Sequence, residues 1–221
     1  MTINAVLFDF SGTLFRLEPD LTGLTDRDGN LLDGERQAEI MRRMTAPTGR
    51  PEGLPEHLYD GWERRDLDPP LHRELYLAVL TASGVGNPEL LYDRMLDTAN
   101  WEPYPDTAAA VRKLADAGIP VGVVSNIAWD IRPTFERIGI ADLVSEFVLS
   151  YQEGSIKPDA RLFTVACQRL GVAPEQVLMI GDSEEADGGA AKIGCAVAFV
   201  DPLPIGQRPH ALLDVLAENG W

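Results

Sequence analysis

The chain has 221 residues, 45% of them hydrophobic, two cysteines and a formal net charge of −16 at pH 7. That length supplies one sizeable core and an accessory domain, and so negative a charge argues against a general nucleic-acid or anionic-membrane partner. No apolar run approaches the roughly 20 residues needed to cross a bilayer and no basic-then-apolar leader opens the chain, so a cytoplasmic protein is expected, with Cys167 and Cys195 as buried, reduced thiols.

Ala5 to Phe8 is a continuous apolar run, expected as a central parallel strand buried on both faces. It ends on Asp9, and Gly12 turns the chain three residues later. A carboxylate just past the carboxyl end of such a strand can hold a hard cation, attack a phosphorus, or do both. Residues 16–35 are polar and turn-rich. Asp26, Asp28, Gly29, Asn30 and Glu35 fall where a calcium loop places some ligands, but Leu24 occupies the first ligand position and no helix pattern precedes it, so a solvated loop is expected.

From Gly34 to Asn100 the patterns are helical. Ile40, Met41 and Met44 share a face, Leu58, Trp62 and Arg65 follow at similar spacing, and His72 to Ala82 carries Leu75, Val79 and Leu80. Asn87-Pro88 opens a helix through Leu96. Proline-rich breaks at Pro47 to Pro55 and at Pro69-Pro70 separate the pieces. The pattern predicts an all-helical insertion of about 85 residues, the size of a small domain.

Beyond Pro103-Tyr104-Pro105 strands alternate with helices. Asp106 is the expected N-cap of a helix from Thr107 to Ala117, closed by Gly118. Strands are expected at Val121 to Val124, Phe147 to Ser150, Val177 to Ile180 and Ala196 to Val200. Helices are expected at Pro133 to Ile138, Ala160 to Leu170, Glu184 to Ile193 and Ala211 to Glu218. The fold class is therefore α/β: a Rossmann-like, mostly parallel sheet with right-handed crossovers and helices on both faces. Its core comprises residues 1–15 and 104–221, with a helical cap of residues 16–103 entering after the first strand.

Polar residues cluster at the strand ends. Val121 to Val124 runs into Ser125-Asn126, and Val177 to Ile180 into Gly181-Asp182-Ser183, with Asp187 five residues beyond Asp182. Lys157 stands in a Gly-Ser-Ile-Lys-Pro-Asp loop. In a parallel sheet these ends converge with Asp9 on one edge. Carboxylates, a hydroxyl-amide pair and one ammonium suit magnesium and a phosphoryl group, and the Lys offsets a global charge that repels anionic substrates.

These motifs, in this order over the whole core, resemble those of the haloacid dehalogenase superfamily of aspartate-nucleophile hydrolases. The first is Asp9-Phe10-Ser11-Gly12-Thr13-Leu14, the second Ser125-Asn126, the third Lys157-Pro158-Asp159, and the fourth Gly181-Asp182-Ser183 with Asp187. The resemblance implies that Asp9 is the nucleophile and a magnesium ligand. Asp182 is then a second ligand, Asp187 orients metal-bound water, and the main-chain carbonyl of Ser11 completes the protein's ligand set. Ser125, Asn126 and Lys157 hold the phosphoryl oxygens.

One position departs from the pattern. Family phosphatases carry a second Asp where this chain has Ser11, and that Asp protonates the leaving group and then helps water attack the aspartyl phosphate. A serine hydroxyl does not ionise usefully near neutral pH. The leading expectation is a magnesium-dependent, phosphatase-like hydrolase of a small phosphorylated metabolite, working through an aspartyl phosphate at Asp9. The alternatives are haloacid dehalogenase-type or other non-phosphatase chemistry, and a member that binds a phosphorylated ligand without turnover. Phosphonatase chemistry needs a cap lysine, and residues 16–100 contain none. His57 and His72 are candidates for the missing acid, and Arg16, Arg64, Arg65 and Trp101 for the cap or its hinge, while His210 reads as structural. The partner expected is a small phosphorylated molecule, with no nucleic acid and no membrane, in a monomer or homodimer.

Overall fold

A computed structural model of the chain describes residues 2–44, 51 and 54–221 and places five parallel strands at its centre. They are β1 (Ala5–Phe8), β4 (Val121–Ser125), β5 (Glu146–Leu149), β6 (Val177–Gly181) and β7 (Ala196–Phe199), in the spatial order β5-β4-β1-β6-β7. Val6 lies opposite Val121 on one side and Leu178 on the other. Alternation along the strands sorts the core into two layers. Val6 and Phe8 pack with Val111 and Leu114 of α5 (Thr107–Asp116), Phe135 of α6 (Arg132–Arg137) and Leu212 and Leu216 of α9 (Ala211–Glu218). Ala5 and Leu7 pack instead with Leu162, Phe163 and Ala166 of α8 (Ala160–Leu170). A sheet buried on both faces explains why β1 and β6 read as unbroken apolar runs.

The chain between β1 and β4 holds α1 (Gly34–Met44), α2 (Tyr59–Trp62), α3 (Pro69–Ala82) and α4 (Pro88–Leu96). Asp68 caps α3, its side chain accepting from the Leu71 N–H, with proline in the first turn. The insertion is not all-helical. Its two ends pair antiparallel as β2 (Phe15–Leu17) and β3 (Trp101–Pro103), with Phe15 opposite Pro103 and Leu17 opposite Trp101. Between α2 and α3 the helical spacing breaks into one 3-10 turn, Arg65–Leu67. The Pro47 end of the proline-rich break and the Met44 side chain lie outside the described residues.

Other expectations are corrected. The segment 16–35 is more than a solvated loop, since Leu17, Leu24 and Leu32 are buried in the main core. Asp26 there accepts from the N–H groups of Asp28 and Asn30, an ordinary turn device rather than an open ligand. Ser150 leaves the strand and opens the short helix α7 (Ser150–Glu153). The expected helix from Glu184 is a 3-10 segment, Asp187–Ile193. Gly188 and Gly189 give it little helical preference, and it lies flush on the Lys157 loop, where a Cβ at Gly189 would stand 2.7 Å from the Pro158 carbonyl oxygen. Asp106 does not cap its own helix. Its buried carboxylate accepts from the Leu212 and Leu213 N–H groups, at 2.8 and 3.1 Å, and so caps the start of α9. Cys167 and Cys195 are buried, their sulfurs 4.0 Å apart. No helix among the described residues is long and apolar enough to cross a membrane.

Candidate active site

Chain order reverses at β1, which lies between β4 and β6, so the crevice at their carboxyl ends is where an open α/β sheet binds ligands. Asp9 follows β1, Ser125-Asn126 ends β4, and Asp182 follows β6. All of them line one cavity of about 360 Å³ with Ser11, Lys157, Ser183 and Asp187.

The turn after Asp9 is fixed from below and from the side. Phe10 is fully buried, its ring against Trp101 at 4.7 Å and Phe15 at 5.2 Å. Its carbonyl accepts from the Leu14 and Phe15 N–H groups, closing the turn. Gly12 has a φ of +78°, and a Cβ there would stand 2.3 Å from Asp182 Oδ2, so the backbone and the carboxylate can approach only because the side chain is absent. Arg208, buried and stacked over Tyr104, donates to the Gly12 carbonyl at 2.6 Å and to the Thr13 carbonyl. Ser11 is left exposed on the cavity wall.

Lys157 is the centre of the charge arrangement. Its ammonium donates to Asp9 Oδ1 at 2.5 Å and to Asp187 Oδ1 at 2.7 Å. Asn126 holds the lysine's backbone from both sides: its Oδ1 accepts from the Lys157 N–H at 2.7 Å and its Nδ2 donates to the Lys157 carbonyl at 3.0 Å. The other oxygen of Asp187 accepts from the Ser183 N–H. Burial pushes the Asp9 carboxyl well above the usual carboxylate range, with Asp187 and Asp182 adding to the rise and Lys157 opposing it. Burial, then Asp187, raises Asp182 as well. For Lys157 burial pulls the pKa down, but Asp187 and Asp9 overcome it and hold the amine protonated.

Asp9, Asp182 and Asp187 each bring a carboxylate oxygen within 4.8 Å of the others. Three carboxylates against one ammonium leave an excess of negative charge in a buried place, and their donors are all oxygen. That set fits a hard divalent cation.

The far wall comes from the insertion, with Arg65, Asp66, His72, Tyr76, Met95 and Trp101. His72 lies there, whereas His57 and Arg64 do not. Burial, helped by Arg65, pushes the His72 pKa down to about 3, so the ring is neutral. It stacks on Tyr76 at 4.3 Å, and its Nδ1 lies 2.9 Å from the Tyr92 hydroxyl. Arg65 donates to the Trp62 carbonyl and lies over the Trp62 ring, while its buried Nε has no partner. Arg16 also lines the cavity and is held by Glu18 and the Pro202 carbonyl. His210 sits at the start of α9, outside the cavity wall. Sequence reasoning missed Asp66, Tyr76 and Arg208. Each belongs to a segment whose motif is silent and reaches the site only through tertiary packing.

A sequence profile of the haloacid dehalogenase-like hydrolases matches residues 3–194. Among curated relatives, the glyceraldehyde 3-phosphate phosphatase of Methanopyrus kandleri is 29% identical, with 98% of each chain covered. The (S)-2-haloacid dehalogenase 4A of Burkholderia cepacia is 27% identical over 87% of this chain and 80% of its own. Among solved structures, a HAD phosphatase from Thermococcus onnurineus superposes with a TM-score of 0.56 at 23% identity, over 90% of this chain and 86% of the other. The order of the strands, the carboxylates at their ends and the match over nearly the whole chain agree: this protein belongs to the haloacid dehalogenase-like hydrolases.

Proposed function

We propose that the protein is a magnesium-dependent phosphoric monoester hydrolase that acts on a small phosphorylated metabolite through an aspartyl phosphate at Asp9. The observation that carries this reading is the single buried ammonium of Lys157 shared between Asp9 and Asp187 beside Asp182. It supplies a fixed positive charge for the phosphoryl oxygens and leaves a carboxylate set that still has room for a cation. Magnesium held by Asp9, Asp182 and Asp187, with the Ser11 carbonyl, would neutralise the phosphoryl charge there. Asp9 attacks phosphorus, Ser125 and Lys157 hold the non-reacting oxygens, and Asn126 keeps Lys157 in place. A cavity of about 360 Å³ suits a small ligand. Arg16 and Arg65 add positive charge that a chain of net charge −16 otherwise lacks toward an anionic substrate. The reading places the protein in the cytoplasm as a monomer or homodimer, with no nucleic-acid or membrane partner.

Haloacid dehalogenation is the second reading, favoured by the similarity to the Burkholderia enzyme. The clustered carboxylates count against it, since displacement of a halide from carbon has no need of a cation. Release of nitrophenol from p-nitrophenyl phosphate with magnesium, lost in chelator, is the expected result. Halide release from an (S)-2-haloacid in chelator, with no phosphatase activity under any condition, would reverse the assignment.

A further inference from the structure

Expulsion of an alkoxide from a phosphate ester needs a proton donor, and the place two residues beyond Asp9 holds Ser11, which cannot supply one. We propose that Asp66, reaching the cavity from the inserted segment, is the leaving-group acid and the water-activating base of this site. The inference rests on the phosphatase reading above.

The cavity wall offers few other donors. Lys157 is committed to Asp9 and Asp187. His72 is neutral and has no proton to spare for an alkoxide at neutral pH. The Tyr76 phenol, its pKa raised by burial, is a far weaker acid than a carboxyl and a poor proton donor to the leaving oxygen. Asp9, Asp182 and Asp187 form the nucleophile and cation-binding set. Asp66 is the remaining carboxyl on the wall.

Its placement is built. The Arg65–Leu67 turn is pinned to the core by Ser150, whose hydroxyl donates to the Asp66 carbonyl at 2.6 Å and accepts from the Ile127 N–H at 2.8 Å. Ile127 directly follows Ser125-Asn126, so one serine side chain separates Asp66 from the phosphate-holding turn. The Asp66 side chain is 13% exposed. Its oxygens lie 3.6 Å from Arg65 Nη2 and 3.8 Å from His72 Nε2, outside hydrogen-bond reach, so the carboxyl is oriented without being consumed. The groups facing it are Arg65 from its own turn, His72 and Tyr76 from α3, and Lys157 across the cavity, while Glu153 of α7 is paired with Arg169. Burial raises the Asp66 pKa against the pull of Arg65 and Lys157, which favours a proton on it as substrate arrives.

The proton balance closes. An Asp9 oxygen bonds to phosphorus as the ester P–O bond breaks, and the electron pair leaves on the ester oxygen, which takes the Asp66 proton. Asp66 then accepts a proton from water as that water's oxygen attacks phosphorus. The bond to Asp9 breaks, inorganic phosphate is released, and both carboxyl groups return to their starting state.

The test is Asp66→Asn assayed in magnesium on esters of graded leaving-group basicity. The expected loss in kcat/KM is about 10²–10⁴-fold on an alkyl phosphate and below about tenfold on p-nitrophenyl phosphate, whose leaving group needs little help. An equal loss on both, or none on either, overturns the role. The wild type gives a second reading that requires no variant to fold. Its kcat/KM on the alkyl phosphate should fall as pH rises through the Asp66 pKa, while kcat/KM on the nitrophenyl ester, whose leaving group needs no acid, holds. The same basic limb on both esters overturns the proposal. Wild-type protein inactive on every phosphate ester removes the phosphatase reading together with Asp66. Active wild type with a leaving-group-independent Asp66→Asn removes Asp66 alone.

Discussion

Lys157→Met isolates the energetic role of the shared ammonium. Lys157 is 4% exposed, Asp9 7% and Asp187 0%, and the two contacts are 2.5 and 2.7 Å. Removing one partner of a buried, hydrogen-bonded ion pair costs about 3–5 kcal/mol, because the other charges stay behind uncompensated. Methionine keeps most of the lysine stem's volume, so packing adds little to that loss. At about 2–4 °C per kcal/mol for a chain of this size, the melting temperature should fall on the order of 10 °C. The pH dependence has a definite sign. Asp9 and Asp182 have carboxyl pKa values raised by burial, so their contribution to stability is fully present below the unfolded value of about 3.9 and is lost as pH rises through the folded values. Without the ammonium those folded values rise further. The gap between variant and wild type should therefore widen from about pH 4 to pH 7. Urea unfolding followed by circular dichroism in chelator, at both pH values, measures it. A loss below about 1 kcal/mol at pH 7, or one that does not change with pH, would refute the reasoning.

Asp9→Asn should abolish turnover while the fold persists, because an amide is too poor a nucleophile to form the covalent intermediate. Turnover within about tenfold of wild type on pure protein would exclude the aspartyl-phosphate route. Ser11→Asp, made in the Asp66→Asn background, should restore part of the lost alkyl-phosphate rate, since Ser11 is exposed on the cavity wall and has room for a carboxyl. A double variant no faster than Asp66→Asn, though folded, would show that position 11 cannot reach the leaving group. Asp106→Ala should lower stability by about 1–2 kcal/mol through loss of a helix cap, seen as a lower denaturation midpoint with an unchanged slope. An unchanged midpoint would mean that α9 does not depend on that carboxylate.

The strand ends were legible because their chemistry is local. Asp9, Ser125 and Asp182 each stand at the end of an apolar run, Lys157 stands in a short loop motif before a helix, and a parallel sheet brings the strand ends together whatever the connections. The boundaries of α8 were legible too, with Asp159 capping it and Gly171 closing it in the left-handed conformation. What could not be read depends on contacts between distant segments. The Asp106 carboxylate looks like a cap for the helix beside it, yet its donors lie at Leu212 and Leu213. Arg208 acts on the Gly12 and Thr13 carbonyls, and a main-chain acceptor leaves no mark in sequence. The β2-β3 ribbon is three residues on each side, too short for a period of two to show. Asp66 was hidden for a related reason: Arg65-Asp66 is an ordinary charged pair until Ser150 fixes it against the core.

That same ribbon bears on the order in which the molecule assembles. β1 must pair with β4 across an intervening chain of about 110 residues, and closing so long a loop is entropically costly. Once Phe15 and Pro103 are joined, the stretch that must be closed shrinks to about 25 residues, which lowers the closure cost by about 1.3 kcal/mol. The contacts between α3 and α4 are near in sequence and are favoured to form early. Assembly of the insertion first therefore brings the two halves of the sheet within reach of each other. If the insertion folds first during synthesis, the segment that walls the cavity would serve as an internal splint, holding β1 beside the place where β4 will arrive.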